Sequence, residues 1–321
     1  MKKMPEITDE QWLSVNETNR KMVEEFLRES ITLSPETLRQ YTSALKIFYY
    51  WIARECENKN FTEIKSRDFL AYQNFLIRQG LSSSNIRLKR SAISSMNGYV
   101  EVYYGEEFPL WRNFINKKIT APVLNFVNEK KPLTLEEYKH LCQELEKKEK
   151  WQELAYLKCS FSSGARRAEI RQFLKNMINA EPKLVGETKI YSTGEIRCKG
   201  KGKIGKIRKL QIDEDTMITI KKWLEIRGKD DSEFLFISKT NGKVKQISLE
   251  TFNRWCSNLF TEIVGRRVHP HLLRESRATS MVVEQEKDIK IAQKLLGHNS
   301  SVTTEIYVIR EDEDDSDEAF T

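Results

Sequence analysis

Apolar residues in the first third of the chain recur at the spacing of amphipathic helices. Ser34 followed by Pro35 indicates an N-cap and a first helical turn. The apolar residues behind them keep helical spacing: Leu38, Tyr41, Leu45, Phe48 and Ile52. Similar patterns predict a helix from Ser66 to Gly80 and another from Ser83 towards Tyr104. This part of the chain is therefore predicted to be helical.

The pattern changes in the second half of the chain. Helical spacing predicts helices over 134–161, 166–177, 213–227, 249–264 and most of 271–309. Between them, β-leaning pieces around Ile190 and Ile196 lead through a Gly-Lys-Gly turn to residues 207–212, which predicts a small antiparallel sheet or hairpin. Phe234 to Ile237 is either one more short strand or a buried run. The predicted fold is mainly α, of the α+β class.

Prolines divide the chain near its middle. Ala121-Pro122 and Lys131-Pro132 stop any helix, and Thr134 with Glu137 forms a capping box that begins the next one. We therefore predict a helical domain and an α-rich domain with a small sheet, joined by a linker and flanked by a short extension and an acidic tail. In chain order, the predicted bounds of these five segments are 1–19, 20–119, 120–132, 133–310 and 311–321.

Composition narrows the class of protein. No run of apolar residues approaches the roughly 18 that a membrane span needs. The five cysteines are scattered, with no CxxC pair, which argues for a reducing compartment and against a disulfide framework or a structural zinc. We therefore expect a cytoplasmic protein with no membrane partner, associated with the nucleoid if it binds DNA.

The charge balance indicates a polyanionic partner. The chain carries 54 basic and 47 acidic side chains, a net charge of +7. Seven of the acids lie in the last eleven residues, so the remainder has an excess of fourteen positive charges. Nucleic acid is the commonest partner of such a protein, although many basic proteins bind none. The acidic tail is either a disordered, solubilising end or a segment that docks on a basic surface and restrains activity.

Four separated segments carry candidate chemistry, two of them near the middle of the chain. In the first, Gly164 makes a turn and Arg166 stands at a helix N-terminus, where a cation is unfavourable unless an anion binds. Glu169 would hold this arginine, and the alternative is an ordinary surface pair. The second, residues 197–209, has seven basic side chains, three glycines and no acid. A lysine at its tip would face a phosphate, and the alternative is a cationic loop without chemistry.

The other two segments follow towards the C-terminus. His271 and Arg274 share one helix face, which sets a proton-transfer group beside a bidentate phosphate ligand, although such a pair also arises by chance. Gly297 precedes His298, and Tyr307 comes nine residues later. The alternative for this tyrosine is a half-buried structural aromatic.

Together, and in this order, the four segments resemble the tyrosine recombinase, or phage integrase, family, whose pattern is Arg…Lys…His-x-x-Arg…His…Tyr. The matching positions are Arg166, Lys201, His271, Arg274, His298 and Tyr307, with Glu169 as a supporting acid. The match spans about 162–309, and the helical first half fits the family's SAM-like core-binding domain. Flanking departures such as Glu275 after Arg274 favour integrases of mobile elements over the Xer branch that resolves chromosome dimers.

The resemblance implies a site-specific recombinase that cuts and rejoins DNA through a 3′-phosphotyrosyl intermediate, with no metal and no other cofactor. Tyr307 is then the nucleophile and His271 its proton acceptor, while Lys201 gives a proton to the leaving 5′-oxygen. Arg166 and Arg274 clamp the phosphate, to which His298 donates a hydrogen bond.

The resemblance also implies double-stranded DNA as the partner, a homotetramer on synapsed sites, and accessory DNA-bending or directionality proteins. The basic residues expected on DNA are Arg87, Lys89, Arg90, Lys199, Lys203, Lys206 and Arg208. Integration or excision of a mobile element is the expected role. The alternatives are Xer-like dimer resolution, a topoisomerase-like relaxing enzyme, and a DNA-binding regulator with a decayed site.

Overall fold

A computed structural model describes residues 3–115, 119–123, 131–200 and 205–297 of the chain. The chain divides into two compact units, residues 1–128 with 200–205 and residues 129–199 with 206–321, and each is built around its own hydrophobic core. The predicted class, mainly α with small antiparallel sheets, is confirmed. None of the helices among these residues is long and apolar enough to cross a membrane.

The first unit is helical. Its helices are α1 Asp9–Leu13, α2 Glu17–Glu29, α3 Pro35–Glu55, α4 Ser66–Arg78 and α5 Ser83–Tyr103. The cap predicted for α3 is confirmed, since the Ser34 hydroxyl accepts a hydrogen bond from the Thr37 amide at 3.2 Å. The first 19 residues, expected as an extension, carry α1 and bury Trp12 and Val15 in the core with Phe26 of α2.

The second unit combines helices with two small sheets. Its longer helices are α6 Leu135–Lys147, α7 Trp151–Ser163, α9 Glu214–Arg227, α12 Pro270–Thr279 and α13 Ile289–Leu296. The shorter ones are α8 Arg167–Ile170, α10 Leu249–Arg254 and α11 Thr261–Val264. A π-helical segment, Trp255–Phe260, joins α10 to α11, so the predicted helix over 249–264 is continuous, with Phe252, Cys256 and Phe260 buried on one stripe.

The predicted hairpin is the centre of a three-stranded antiparallel sheet. Its strands are β1 Lys183–Val185, β2 Thr188–Cys198 and β3 Lys206–Asp213, paired in that order. Ile196 lies opposite Arg208 and Cys198 opposite Lys206, and the register shifts between Ser192 and Glu195. A separate hairpin pairs β4 Ile237–Thr240 with β5 Lys243–Gln246.

Three of the predicted helical stretches are divided or shortened in the structure. The pattern over 134–161 is two helices, because Glu149 takes φ 54° and breaks the ladder between α6 and α7. The helix predicted over 166–177 was wrong beyond Ile170, where Leu174 pairs with Phe234 and a 3-10 turn, Lys175–Asn179, follows. The stretch 271–309 divides into α12, a π-helical segment over Ser280–Glu284, and α13; residues 298–309 lie outside the described part.

Candidate active site

The turn that carries Arg166 begins where α7 ends. Gly164 has φ 60°, and a Cβ at this position would lie 2.6 Å from Cδ2 of Leu296, so only glycine fits. Arg166 precedes α8 and is held by Glu169, whose carboxylate accepts from the Arg166 amide at 2.8 Å and from Nη1 at 3.1 Å. The Glu169 side chain is 4% exposed and that of Arg166 is 29% exposed. The guanidinium is therefore fixed on one side while it reaches solvent.

The start of α12 sets the positions of His271 and Arg274. His269 is the N-cap, because its Nδ1 accepts a hydrogen bond from the Leu272 amide at 3.0 Å, and Pro270 follows at the first helical position. This cap places His271 in the first turn, where its side chain is 47% exposed and its Nε2 lies 3.9 Å from Oε1 of the buried Glu275. The sequence analysis gave His269 no role, although a histidine before proline at a helix start signals a cap.

Arg274 joins three of the four candidate segments. It is the largest fully buried side chain among the described residues, at 1% exposure. Its Nη1 donates to the carbonyl of Gly164, two residues before Arg166, and its Nη2 donates to the carbonyl of Leu296 at 2.7 Å, two residues before His298. One carbonyl lies 110 positions before Arg274 in the chain and the other 22 positions after it, so distant segments meet on one guanidinium.

The β2–β3 hairpin is fastened to the same region at its base. The Gln172 side chain accepts from the Arg197 amide at 3.0 Å and donates to the Arg197 carbonyl at 2.9 Å. At the other end of the sheet, Ser162 and Asp213 exchange two hydrogen bonds of 2.9 Å. Lys199 and Lys206 are exposed beside the hairpin tip. Lys201 and Lys203 lie outside the described residues.

Arg208 of β3 contacts another element of the second unit. It is half-buried, and its Nη2 donates to the Leu295 carbonyl at 2.7 Å, at the C-terminal end of α13. Gly297 ends that helix with φ 68°. His298 and Tyr307, which complete the predicted set, lie outside the described residues.

The buried guanidinium of Arg277, on the same helix as Arg274, lies against an aromatic ring. The Arg277 guanidinium lies 5.7 Å from the centre of the Phe161 ring, which stacks on Tyr138 at 4.0 Å between centroids. Burial lowers the pKa of Arg277 from its usual value.

On β2, burial raises the pKa of the Cys198 thiol to about 11, and the charge of Glu169 raises it further. This thiol is therefore neutral at pH 7 and no competitor as a nucleophile.

Two of the three basic residues predicted for the first unit donate hydrogen bonds to backbone carbonyls, and the third is buried. Arg87 donates to the Pro122 carbonyl at 2.9 Å, and Arg90 donates to the Ile119 carbonyl at 2.8 Å. Lys89 is 6% exposed, and this burial lowers its pKa, which departs from the surface position that the prediction assumed. Arg87 and Arg90 therefore help to fix the chain where it leaves the helical unit.

The arrangement in the second unit favours an anion with several oxygens. Arg166 and Arg274 are planar donors, and a carboxylate or backbone carbonyls fix the orientation of each guanidinium. His271 adds a group that exchanges protons near neutral pH. Within residues 3–115, 119–123, 131–200 and 205–297, no three His, Cys, Asp or Glu side chains gather as metal ligands would.

Comparisons with known proteins agree on one family. The Phage integrase family profile matches residues 131–314, and the profile of the phage integrase N-terminal SAM-like domain matches residues 19–101. The SPbeta prophage-derived recombinase-like protein YomM of Bacillus subtilis (strain 168) is 33% identical over 323 residues, covering 99% of this chain and 95% of that protein. Tyrosine recombinase XerA of Thermococcus onnurineus (strain NA1) is 29% identical over 274 residues, 85% of this chain and 84% of that protein.

Solved structures share the fold at low sequence identity. The Tn1549 transposon integrase in complex with transposon right end DNA superposes with a TM-score of 0.66 at 14% identity, covering 94% of this chain and 98% of that chain. The lambda integrase dimer bound to a COC′ core site gives a TM-score of 0.63 at 19% identity, covering 92% and 79%.

Proposed function

The chain belongs to the phage integrase family, and from this premise we propose that it is a site-specific DNA recombinase that uses Tyr307 as its nucleophile. The tyrosine oxygen attacks a scissile phosphodiester, forming a 3′-phosphotyrosyl bond and releasing the 5′-oxygen. The 5′-hydroxyl of a partner strand then attacks this bond and releases the tyrosine. One phosphate ester replaces another at each step, so strand exchange needs no nucleotide energy.

Two arginines carry the electrostatic part of this mechanism. The pentacoordinate transition state gains negative charge on the non-bridging oxygens, and preorganised donors stabilise such charge strongly. Arg166, fixed by Glu169, and Arg274, fixed by two backbone carbonyls, are the donors that we assign to it. His298 is assigned a further hydrogen bond to the same phosphate.

The proton transfers are assigned to His271 and Lys201. A phenol with an ordinary pKa of about 10 is a poor nucleophile at pH 7 and needs a proton acceptor. His271, exposed on the first turn of α12, takes this proton, and the carboxylate of Glu275 stabilises the imidazolium that results. The leaving 5′-oxygen needs a proton in turn, and the Lys201 ammonium supplies it.

A single observation carries this proposal: Arg274 binds the backbone of both the turn before Arg166 and the helix end before His298. A buried arginine fixed to two distant backbone segments is unusual for a surface-binding protein, because burying a cation is unfavourable unless it is well paired. The arrangement suits an enzyme that must hold several segments around one phosphate.

We assign the protein to a mobile element, where it integrates or excises DNA. The support is its similarity to a prophage-derived recombinase-like protein over nearly the whole chain. The helical unit binds the core DNA site, and the active assembly is a homotetramer on two synapsed duplexes. Accessory DNA-bending or directionality proteins set the direction of the reaction, which takes place on DNA of the nucleoid.

The test is a covalent adduct between the full chain and duplex DNA from the ends of its host element. With a nicked duplex, wild-type protein should form an adduct that is resistant to denaturant, and Tyr307→Phe should form none. Tyr103→Phe is the matched control, because Tyr103 is exposed in the first unit and should leave adduct formation unchanged.

The reaction products separate the proposal from its alternatives. Recombinant joints between two element ends support an integrase, whereas joints only between chromosomal dimer-resolution sites support an Xer-type resolvase. Relaxation of supercoiled DNA without recombinants supports a topoisomerase. Sequence-specific binding without any adduct supports a regulator and contradicts the proposal.

A further inference from the structure

The C-terminal end of α13 receives two arginines from different elements. Arg208 of β3 donates to the Leu295 carbonyl at 2.7 Å, and Arg274 of α12 donates to the next carbonyl, that of Leu296, also at 2.7 Å. The last carbonyls of a helix have no partners within the helix and carry the negative end of its dipole. Cations are therefore well placed at this end.

Gly297 shows how closely Arg208 approaches the backbone. A Cβ on Gly297 would clash with Nη1 of Arg208 and lie 2.8 Å from its Cζ. The guanidinium therefore packs directly on the peptide that leads into His298. The φ of 68° favours glycine here, and a side chain at this position would also have to move the Arg208 guanidinium.

The pairing of β2 with β3 places the Arg208 side chain on the inward face of the sheet, where it contacts the end of α13. Arg208 lies opposite the buried Ile196 and shares its face of β3 with the buried Leu210 and Ile212. Lys209, one position later, points to the opposite face and is exposed. Arg208 is thus an inward-facing residue of the hairpin, although its neighbours in sequence belong to a basic, outward-facing segment.

We propose that Arg208 is a positioning residue that holds the hairpin carrying Lys201 in register with the helix end that leads into His298. This inference rests on the proposed function, since it gives Arg208 no contact with DNA and a role only through Lys201, the proton donor proposed above. Its guanidinium joins the hairpin to the same helix end that Arg274 joins to the Gly164 turn. Loss of Arg208 should therefore misplace the proton donor while the two phosphate-clamping arginines stay in place.

The test uses two DNA substrates that differ in one atom. In the first, the leaving group is the normal 5′-oxygen, which needs a proton from Lys201. In the second, sulfur replaces this bridging oxygen, and the leaving thiolate needs no proton, because thiols ionise near pH 8.5. A variant that acts only through the proton donor should lose cleavage of the first substrate and keep cleavage of the second.

We expect R208Q to cleave the oxygen substrate about 10²-fold more slowly than wild type and the sulfur substrate within about threefold of it. R208K, which keeps the charge but not the planar fork, should show the same pattern more weakly. K209Q removes one positive charge from the outward face of the same strand and should cleave both substrates at wild-type rates. K201Q should reproduce the R208Q pattern in full.

The possible failures are distinguishable. Equal loss on both substrates by R208Q, with K201Q rescued by sulfur, would overturn the proposal for Arg208 and leave the proton donor intact. A K201Q variant that sulfur does not rescue would overturn both the donor assignment and the role of Arg208. An unchanged R208Q would overturn the proposal alone, and absence of any adduct from wild type would overturn the proposed function.

A second measurement tests the contact without catalysis. G297A should lower the melting temperature, both through backbone strain and through the clash with Arg208. In the R208A background the clash is absent, so G297A should lower the melting temperature by less there than in wild type. Equal losses from G297A in the two backgrounds would show that Arg208 does not pack on this peptide.

Discussion

A hydrogen bond from the buried Arg274 to the Gly164 carbonyl joins two segments of the second unit. The arginine is 1% exposed and donates to the glycine carbonyl, while the glycine itself has φ 60° and lies against Leu296. A side chain at position 164 would have to displace the side chain of Leu296, whose carbonyl Arg274 also binds. The turn, the buried arginine and the helix end therefore depend on one another.

Gly164→Ala tests this dependence. The added methyl would lie 2.6 Å from Leu296, and its φ would stay in the left-handed region, so we expect a loss of about 2–4 kcal/mol in unfolding free energy. The measurement is urea denaturation of the full chain. Gly186→Ala is the matched control, since Gly186 has φ 61° and open space around it, so it pays only the strain of about 1–2 kcal/mol. Equal losses for the two variants would contradict the close contact.

The sequence was enough to nominate candidate site residues, but it did not show which of them are buried or what they contact. The motif spacing nominated Arg166, His271 and Arg274, and the structure describes each of them near the start of a helix. The same pattern grouped Arg208 with the DNA-facing bases, because burial of an arginine depends on sheet register and on a partner helix 87 positions away. Alternation with Leu210 and Ile212 is the local signal that indicated its inward face.

At the scale of elements, caps and turns were more predictable than helix lengths. The capping box at Thr134 is confirmed, since Thr134 and Glu137 exchange hydrogen bonds of 3.0 and 3.1 Å. The β4–β5 hairpin was missed, although Asn241-Gly242 is a strong hairpin signal and both residues have positive φ. The helix predicted over 166–177 ended early because tertiary pairing of Leu174 with Phe234 outweighs local spacing.

The loop that follows α9 depends on one buried ion pair. Arg227 binds both carboxylate oxygens of Asp230 at 2.5 Å, and it also donates to the carbonyls of Phe234 and Leu235. The two side chains are 1% and 8% exposed. Hydrogen bonds from Arg227 hold the pKa of Asp230 at about 2, below its ordinary value of 3.8.

Asp230→Asn should therefore change both stability and its pH dependence. We expect a loss of about 3 kcal/mol at pH 7, because the Arg227 charge stays buried without its carboxylate. The lowered pKa means that the carboxylate stabilises the fold above about pH 4 and that this contribution is lost as pH falls towards about 2. Unfolding free energy measured from pH 5 to 2 should fall less steeply in the variant. Asp231→Asn, at an exposed neighbour, should retain the wild-type profile, and an Asp230→Asn profile equal to wild type would contradict this account.

At the scale of the whole molecule, arginines hold the ends of the segment between the two units. In the first unit, Arg90 binds the Ile119 carbonyl. In the second, Arg266 donates to the carbonyls of Lys131 and Pro132, both at 2.7 Å, and pairs with Glu137, whose pKa it lowers. The Leu133 amide donates to Ser276 of α12 at 2.7 Å. Residues 131–133 are therefore fastened to the second unit, and Leu133 to the helix that carries His271 and Arg274.

Arg266→Ala should release the second of these attachments. Loss of two hydrogen bonds to the backbone and of the Glu137 pair favours local opening, so trypsin should cut between residues 116 and 131 several times faster than in wild type. The neighbouring Arg267 is exposed, and Arg267→Ala is the matched control, with cleavage at the wild-type rate. Equal rates for the two variants would show that Arg266 does not hold this segment.

The central claim is that one tyrosine forms a covalent bond to DNA, and peptide mapping of the trapped adduct tests it most directly. Wild-type protein trapped on a nicked duplex is digested with trypsin, and the peptide that carries the nucleotide is sequenced by mass spectrometry. The account predicts a 3′-phosphate ester on Tyr307 and a free 5′-hydroxyl on the released strand. A bond through any other residue, or a 5′-phosphate linkage, would contradict it.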